Sequence, residues 1–340
     1  MKPTVHDIAK EAGVSLATVD RVLNGRPGVR ERTVAKVRSA VERLGYVRDT
    51  SAANLARQRR YNFAIVLPEG PSQFVDTLRA EVHEACRSPL ADRMQLRVLT
   101  VPATDPHVIV RMLRGLDPTR LDGVAMMVPE TPQVRDAVAR LKHAGLAVVT
   151  LVADLPNSRR DYFIGINSVA AGRTAGLLMG RFVRGPGDIV VATNSMRSRD
   201  SLERRLGFDT VIAADFPDLR VLPSVESHDD PQRMAAVIEE IIRMRPALKG
   251  VYSMGPGNQA LLQALRRSGR LRDLVVIAHE LTPVTHQALL ANEVAAVIAQ
   301  NVGHLVRSTL RVLRSLSDGL PVFEAQERVR IDVVLRENMS

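Results

Sequence analysis

The chain has 340 residues and 45% of them are hydrophobic, enough for two or three ordinary globular domains. It holds no apolar run near the roughly 18–20 residues of a membrane span, no apolar signal core in MKPTVHDIAK and a single cysteine, so a membrane, secreted or disulfide-stapled class is excluded and the cytoplasm is expected. The formal net charge is +10, and residues 1–60 hold 13 Lys and Arg against 6 Asp and Glu, the balance of a segment that faces a polyanion.

Thr4 precedes the run VHDIAKEA with Asp7 three residues on, the pattern of a capping box. Ile8, Ala9 and Ala12 share one face of that helix, and Gly13 permits the sharp turn that follows. Ser15 is placed to cap a second short helix ending near Leu23. There Val19, Val22 and Leu23 point inward with Val14, while Leu16, Ala17, Asp20 and Arg21 face outward. A third helix is predicted from about Arg30 to Leu44, with Val34, Val37, Val41 and Leu44 as its apolar stripe and Gly45 as its end. The result is an all-α helix-turn-helix headpiece whose second helix is offered to the major groove.

DIAKEAGVSLATVDRVLNGRPGV closely resembles the headpiece signature of the lactose/galactose repressor (LacI/GalR) family. The stretch VRERTVAKVRSAVERLGYVRDTSAANLARQRR is similar to that family's third helix and hinge, and the match is nearly continuous over residues 4–57. The resemblance implies a sequence-specific DNA-binding transcriptional regulator and points to a repressor. It implies that Leu16 and Ala17 read bases, that Arg21 contacts a base or phosphate beside them, and that Ser15 and Thr18 touch backbone phosphates. Asn24 belongs to the same DNA-contacting set. Asp20 departs from the serine common at its position, so it either accepts from a cytosine amino group or pairs with a neighbour such as Arg21. Ser51-Ala52-Ala53-Asn54-Leu55-Ala56-Arg57 matches the family's hinge helix, two copies of which would pair and push Leu55 into the minor groove; a plain linker is the alternative. The expected division is 1–48 headpiece, 49–60 hinge and linker, and 61–340 effector-binding and dimerisation domain.

From Asn62 onward short β-branched runs alternate with amphipathic helices: NFAIVL, QLRVLTV, DGVAMMV, LAVVTLV, DYFIGI, DIVVAT, KGVYSM, LVVIA and VAAVIA. Such alternation implies parallel sheets covered on both faces, and the number of strands suits two α/β lobes with a ligand cleft at the carboxyl ends of the strands. This region resembles the periplasmic sugar-binding-protein fold that the repressor family uses as its effector domain. Under that resemblance the N-lobe covers about 61–165 and 291–324 and the C-lobe about 166–290 and 325–340.

The same resemblance implies the effector-binding residues. Phe74 follows the first strand in PSQF, and Asn167 opens NSVAAGRTAG. Arg204 lies four residues before the aromatic of SLERRLGF, Asn258 sits in GPGNQALLQAL, Glu280 ends VVIAHE, and Gln300 follows VAAVIA. GPGN and AHE depart from the usual Asn-Asp and Gly-aromatic-Asp patterns, which puts a common sugar in doubt. The expected effector is a small polar molecule such as a sugar, sugar acid or polyol, because carboxylate and guanidinium groups bond vicinal hydroxyls in pairs.

No cofactor, metal or enzymatic activity is expected. His279-Glu280 and His83-Glu84 lack HEXXH spacing, and neither Ser195 nor Ser253 sits in a GxSxG elbow. Cys86 is expected on a buried helix face, and the run RSRDSLERR as a solvated one. No leucine heptad follows VRIDVVLRENMS, so a homodimer without a tetramerising tail is anticipated. A solute-binding protein of a transport system is the alternative, disfavoured by the headpiece and the missing signal.

Overall fold

A computed structural model describes residues 3–23, 26–45, 59–88, 93–102 and 105–339. The chain divides into two compact units, Met1–Arg59 and Arg60–Ser340.

The first unit contains α1 (Val5–Ala12), α2 (Leu16–Leu23) and α3 (Glu31–Leu44). Its capping box is formed as the residue pattern predicts. The Asp7 N–H donates to Thr4 Oγ1 at 3.4 Å, and the Thr4 N–H donates to the Asp7 carboxylate at 2.8 Å, satisfying two otherwise orphaned donors. Gly13 and Gly45 end α1 and α3 in the left-handed region at φ 64° and 60°, where a side chain would be strained. Ile8, Val19, Val37 and Ala40 are fully buried, and Val14, Val22, Leu23, Val41 and Leu44 pack against them. Ala40 joins the predicted stripe, whereas Val34 is only half-buried. The predicted hinge helix, Leu55 included, and Asn24 lie outside the described residues.

The second unit holds two sheets. The first comprises β1 (Tyr61–Pro68), β2 (Met94–Val101), β3 (Gly123–Met126), β4 (Ala147–Leu151) and β5 (Tyr162–Ile164), all parallel in the order β2-β1-β3-β4-β5. It is linked by α4 (Gln73–Arg87), α5 (Pro106–Arg114) and α6 (Pro132–His143). Every residue of β3 and β4 is buried, as strands covered on both faces require. After α7 (Ser168–Phe182) the second sheet is laid down. It comprises β6 (Gly187–Thr193), β7 (Leu219–Val221), β8 (Val225–Glu226), β9 (Leu248–Ser253), β10 (Val275–His279), β11 (Ala296–Gln300) and β12 (Ile331–Val334). Its order is β12-β11-β10-β9-β6-β7, with β8 also on β6, and β12 alone is antiparallel. The helices of this lobe are α8 (Arg199–Asp215), α9 (Pro231–Met244), α10 (Asn258–Arg267) and α11 (Pro283–Leu290). The next helix, α12 (Val302–Ser317), returns to the first sheet and buries Leu305, Leu310 and Leu313. A short α13 (Glu324–Glu327) precedes β12.

Two expectations change. The crossing expected near residue 290 falls at 300, because β11 pairs with β10 from Ile277↔Ala296 to His279↔Ile298 and so extends the second sheet. Its five residues are buried throughout, and its other edge is taken by β12. Cys86 is exposed on α4, not buried. At the crossings at 167 and 301 an asparagine caps the next helix: Asn167 Oδ1 accepts from the Ala170 N–H at 2.9 Å, and Asn301 Oδ1 from the His304 N–H at 2.7 Å. β7 and β8 are not among the predicted strands.

Candidate functional site

In the first unit, Leu16, Ala17, Asp20 and Arg21 are exposed on α2, opposite the fully buried Val19. The Ser15 hydroxyl accepts from the Thr18 N–H at 3.2 Å and lies 2.9 Å from the Thr18 hydroxyl, so both side chains are engaged at the start of the helix. Asp20 forms an intramolecular ion pair with Arg26, 3.2 Å away, rather than with Arg21. Both side chains are more than half exposed, so the pair adds little to stability. What it does is fix a carboxylate on the exposed side of α2, beside Arg21.

In the second unit, the carboxyl edges of the parallel strands carry most of the backbone strain. Six non-glycine residues among those described have positive φ. Four of them, Val152, His228, Asp229 and Glu280, come directly or soon after β4, β8 and β10. Left-handed backbone costs roughly 1–3 kcal/mol per residue and concentrates where function over-determines the geometry.

A buried polar cluster lies on this edge in the second lobe. Arg204, on α8, is almost wholly buried and donates from Nη1 to the Met254 carbonyl at 2.6 Å. Its guanidinium stands 3.6 Å from the Glu280 carboxylate and 3.7 Å from that of Asp200. Gln300 Nε2 donates to Glu280 Oε1 at 2.9 Å. Burial pushes the Glu280 carboxyl up to about 7, against the opposing pull of Arg204 and the Gln300 hydrogen bond. Beneath the cluster the Tyr252 hydroxyl and His279 Nε2 are 2.7 Å apart, and Tyr252 stacks on Phe208 with ring centroids at 4.5 Å. Burial, helped by the Arg204 charge, holds the His279 imidazole well below its ordinary range and hence neutral; burial raises the Tyr252 phenol. Arg204 Nε, Gln300 Oε1 and His279 Nδ1 are buried without a hydrogen-bond partner among the described residues. One orphaned donor and one orphaned acceptor therefore flank Glu280, an arrangement that suits a ligand hydroxyl.

Arg204 is delivered to this depth by a close helix crossing. A Cβ on Gly172 of α7 would lie 2.0 Å from the Arg204 carbonyl oxygen, and one on Gly207 of α8 would lie 2.1 Å from that of Val169. Only glycine permits backbones to approach so closely.

With that geometry in hand, residues 63–321 match the family model described as a periplasmic binding protein domain. The chain belongs to this family. Ahead of its binding-protein domain, residues 4–49 match the model for bacterial regulatory proteins of the lacI family. Catabolite control protein A of Priestia megaterium is 42% identical over 69 residues, which is 20% of this chain and 21% of that protein. The HTH-type transcriptional regulator DegA of Bacillus subtilis is 26% identical over 177 residues, 52% of this chain and 51% of the other. The matches thus span from about a fifth to about a half of these curated relatives. A solute-binding protein of an ABC transporter from Burkholderia graminis, solved in complex with D-arabinose, has the same fold: TM-score 0.74, 23% identity, 83% of this chain and 97% of that one.

Within the binding-protein domain, Arg204, Glu280 and Gln300 come together. Asn258 is close by, but both ends of its amide are used internally. Its Oδ1 accepts from Ser253 Oγ at 2.6 Å and its Nδ2 donates to the His279 carbonyl at 3.1 Å, which ties the ends of β9 and β10. Phe74 is buried in the core under the first sheet, and Asn167 is the cap of α7. The run RSRDSLERR is not a solvated face: Arg204 and Asp200 enter the cluster, and Arg205 and Glu203 are largely covered. Asp200 was missed because it stands in a polar run of mixed charge, RSRDSLERR, that reads as solvated. The i, i+4 spacing from Asp200 to Arg204 was the available signal.

Proposed function

We propose that the chain is a sequence-specific DNA-binding transcriptional regulator, a repressor, whose operator affinity is set by a small polar effector such as a sugar, sugar acid or polyol. It acts in the cytoplasm as a homodimer on double-stranded operator DNA, since two joined headpieces gain effective concentration that one lacks. The observation that carries this reading is the union, in one chain, of a lacI-type helix-turn-helix at 4–49 with a binding-protein domain at 63–321. On this reading Leu16, Ala17 and Arg21 contact bases, Ser15 and Thr18 contact phosphates, and Asn24, Asp20 and the hinge residue Leu55 complete the DNA surface. Arg204, Glu280 and Gln300 hold the effector, with Phe74, Asn167 and Asn258 supporting the cleft. The protein performs no catalysis.

Selection from a random DNA library tests the first half. The full-length chain is expected to enrich one near-palindromic sequence and bind it more tightly than random DNA at physiological salt by about 10³-fold or more. Deleting residues 1–60 should abolish that preference. Equal affinity for selected and random DNA would refute the regulator reading.

A further inference from the structure

Glu130 lies in the loop after β3, at the carboxyl edge of the first sheet, and its side chain is 14% exposed. Its own lobe holds it through one oxygen: Oε1 accepts from Asn157 Nδ2 at 3.3 Å and from Arg135 Nη1 at 3.5 Å. The other oxygen, Oε2, accepts from Arg199 Nη1 at 3.0 Å. Arg199 belongs to the opposite lobe, where it opens α8 and donates from Nε to Glu203 at 2.7 Å. Each partner is therefore fixed by its own lobe before the two meet, which removes much of the side-chain entropy that makes ordinary surface ion pairs weak. The bond joins the loop beyond the carboxyl end of β3 in the first lobe to the start of α8 in the second. Five residues further along α8, about 7.5 Å of helix, comes Arg204 of the buried cluster.

We infer that Glu130 and Arg199 form an ionic latch between the lobes, which sets how far the cleft is closed before any effector arrives. Neither residue belongs to the cluster assigned to the effector. Because Arg199 and Arg204 share one rigid helix, a ligand that draws on Arg204 also bears on the latch, and the latch in turn biases the cleft toward or away from that ligand. This consequence rests on the cleft being the effector site; the latch itself does not, and its test needs no effector and no DNA.

The test is an electron–electron distance measurement on the full-length chain, spin-labelled at the exposed Cys86 of the first lobe and at Met244→Cys on α9 of the second. Dilution with unlabelled protein restricts the signal to pairs within one chain. Glu130→Gln and Arg199→Gln should each raise the population of the longer-distance form about fivefold, at the lower end of couplings between sites. The double variant should do no more than either single one, because one bond is lost in all three. Glu203→Gln, which leaves the cross-lobe bond in place and loosens only the hold of α8 on Arg199, should shift the distances clearly less than Arg199→Gln does. Unchanged distances in both single variants would overturn the latch. So would additive shifts in the double variant, or a shift in Glu203→Gln as large as in Arg199→Gln.

Discussion

Glu280 is held between two influences: burial favours its protonated form, while Arg204 and Gln300 favour the carboxylate. Burial wins, and the carboxyl titrates at about 7 in the folded chain, against about 4.3 in an unfolded one. Between those values the folded state keeps a proton that the unfolded state has released, so this residue's contribution to stability falls as pH rises through 7. Urea unfolding of residues 61–340 between about pH 5 and 8 checks the sign, comparing the wild type with Glu280→Gln. The Gln variant should gain on the wild type as pH rises; a constant difference would mean that Glu280 does not titrate there. That Arg204, Glu280 and Gln300 lie together was legible from the sequence, because a resemblance carries positions as well as residue types. Which atoms of Asn258 remain for a ligand was not legible, since that depends on Ser253 and the His279 carbonyl reaching it in space. That Asp20 pairs within the chain was legible, but not that Arg26, beyond α2 and 3.2 Å away, takes that role in place of Arg21.

At the level of elements, local chemistry was readable wherever a few neighbouring residues decide the outcome. The Thr4–Asp7 box and the left-handed ends at Gly13 and Gly45 follow from residues at most a turn apart. β7 and β8 are only three and two residues long, too short to display a period, and their pairing with β6 is a long-range property. The same holds for the membership of β11, whose neighbours β10 and β12 decide its lobe. The α7–α8 crossing gives a graded prediction. At Gly172 an added Cβ meets the Arg204 carbonyl oxygen at 2.0 Å, whereas at Gly176 the nearest atom, the Phe208 carbonyl oxygen, is 3.0 Å away. Gly172→Ala should destabilise the second unit by about 1–3 kcal/mol by forcing the helices apart, with Gly176→Ala costing clearly less. Thermal unfolding of the two variants measures this, and equal losses would show that the crossing is not what confines Gly172. Gly172→Ala should also weaken ligand binding, because it displaces Arg204 itself.

For the molecule as a whole, the charge distribution and the sheet topology divide the work. On the proposed function, the excess of basic residues in 1–60 supplies affinity for DNA, and the buried cluster around Arg204 and Glu280 supplies the effector site. On that same reading, occupation of the binding domain changes the affinity of the headpiece for DNA, and by linkage the coupling is reciprocal. A thermal-shift screen of sugars, sugar acids and polyols finds a ligand, since anything that binds the folded lobes alone raises their melting temperature. The coupling is then measured as the affinity of the full-length chain for its selected operator, with and without that ligand, in the wild type and in Arg204→Ala. The expected result is a change of about fivefold or more in the wild type and none in the variant, with ligand-free operator affinity the same in both. Operator affinity that stays constant while the ligand saturates the cleft would contradict the account.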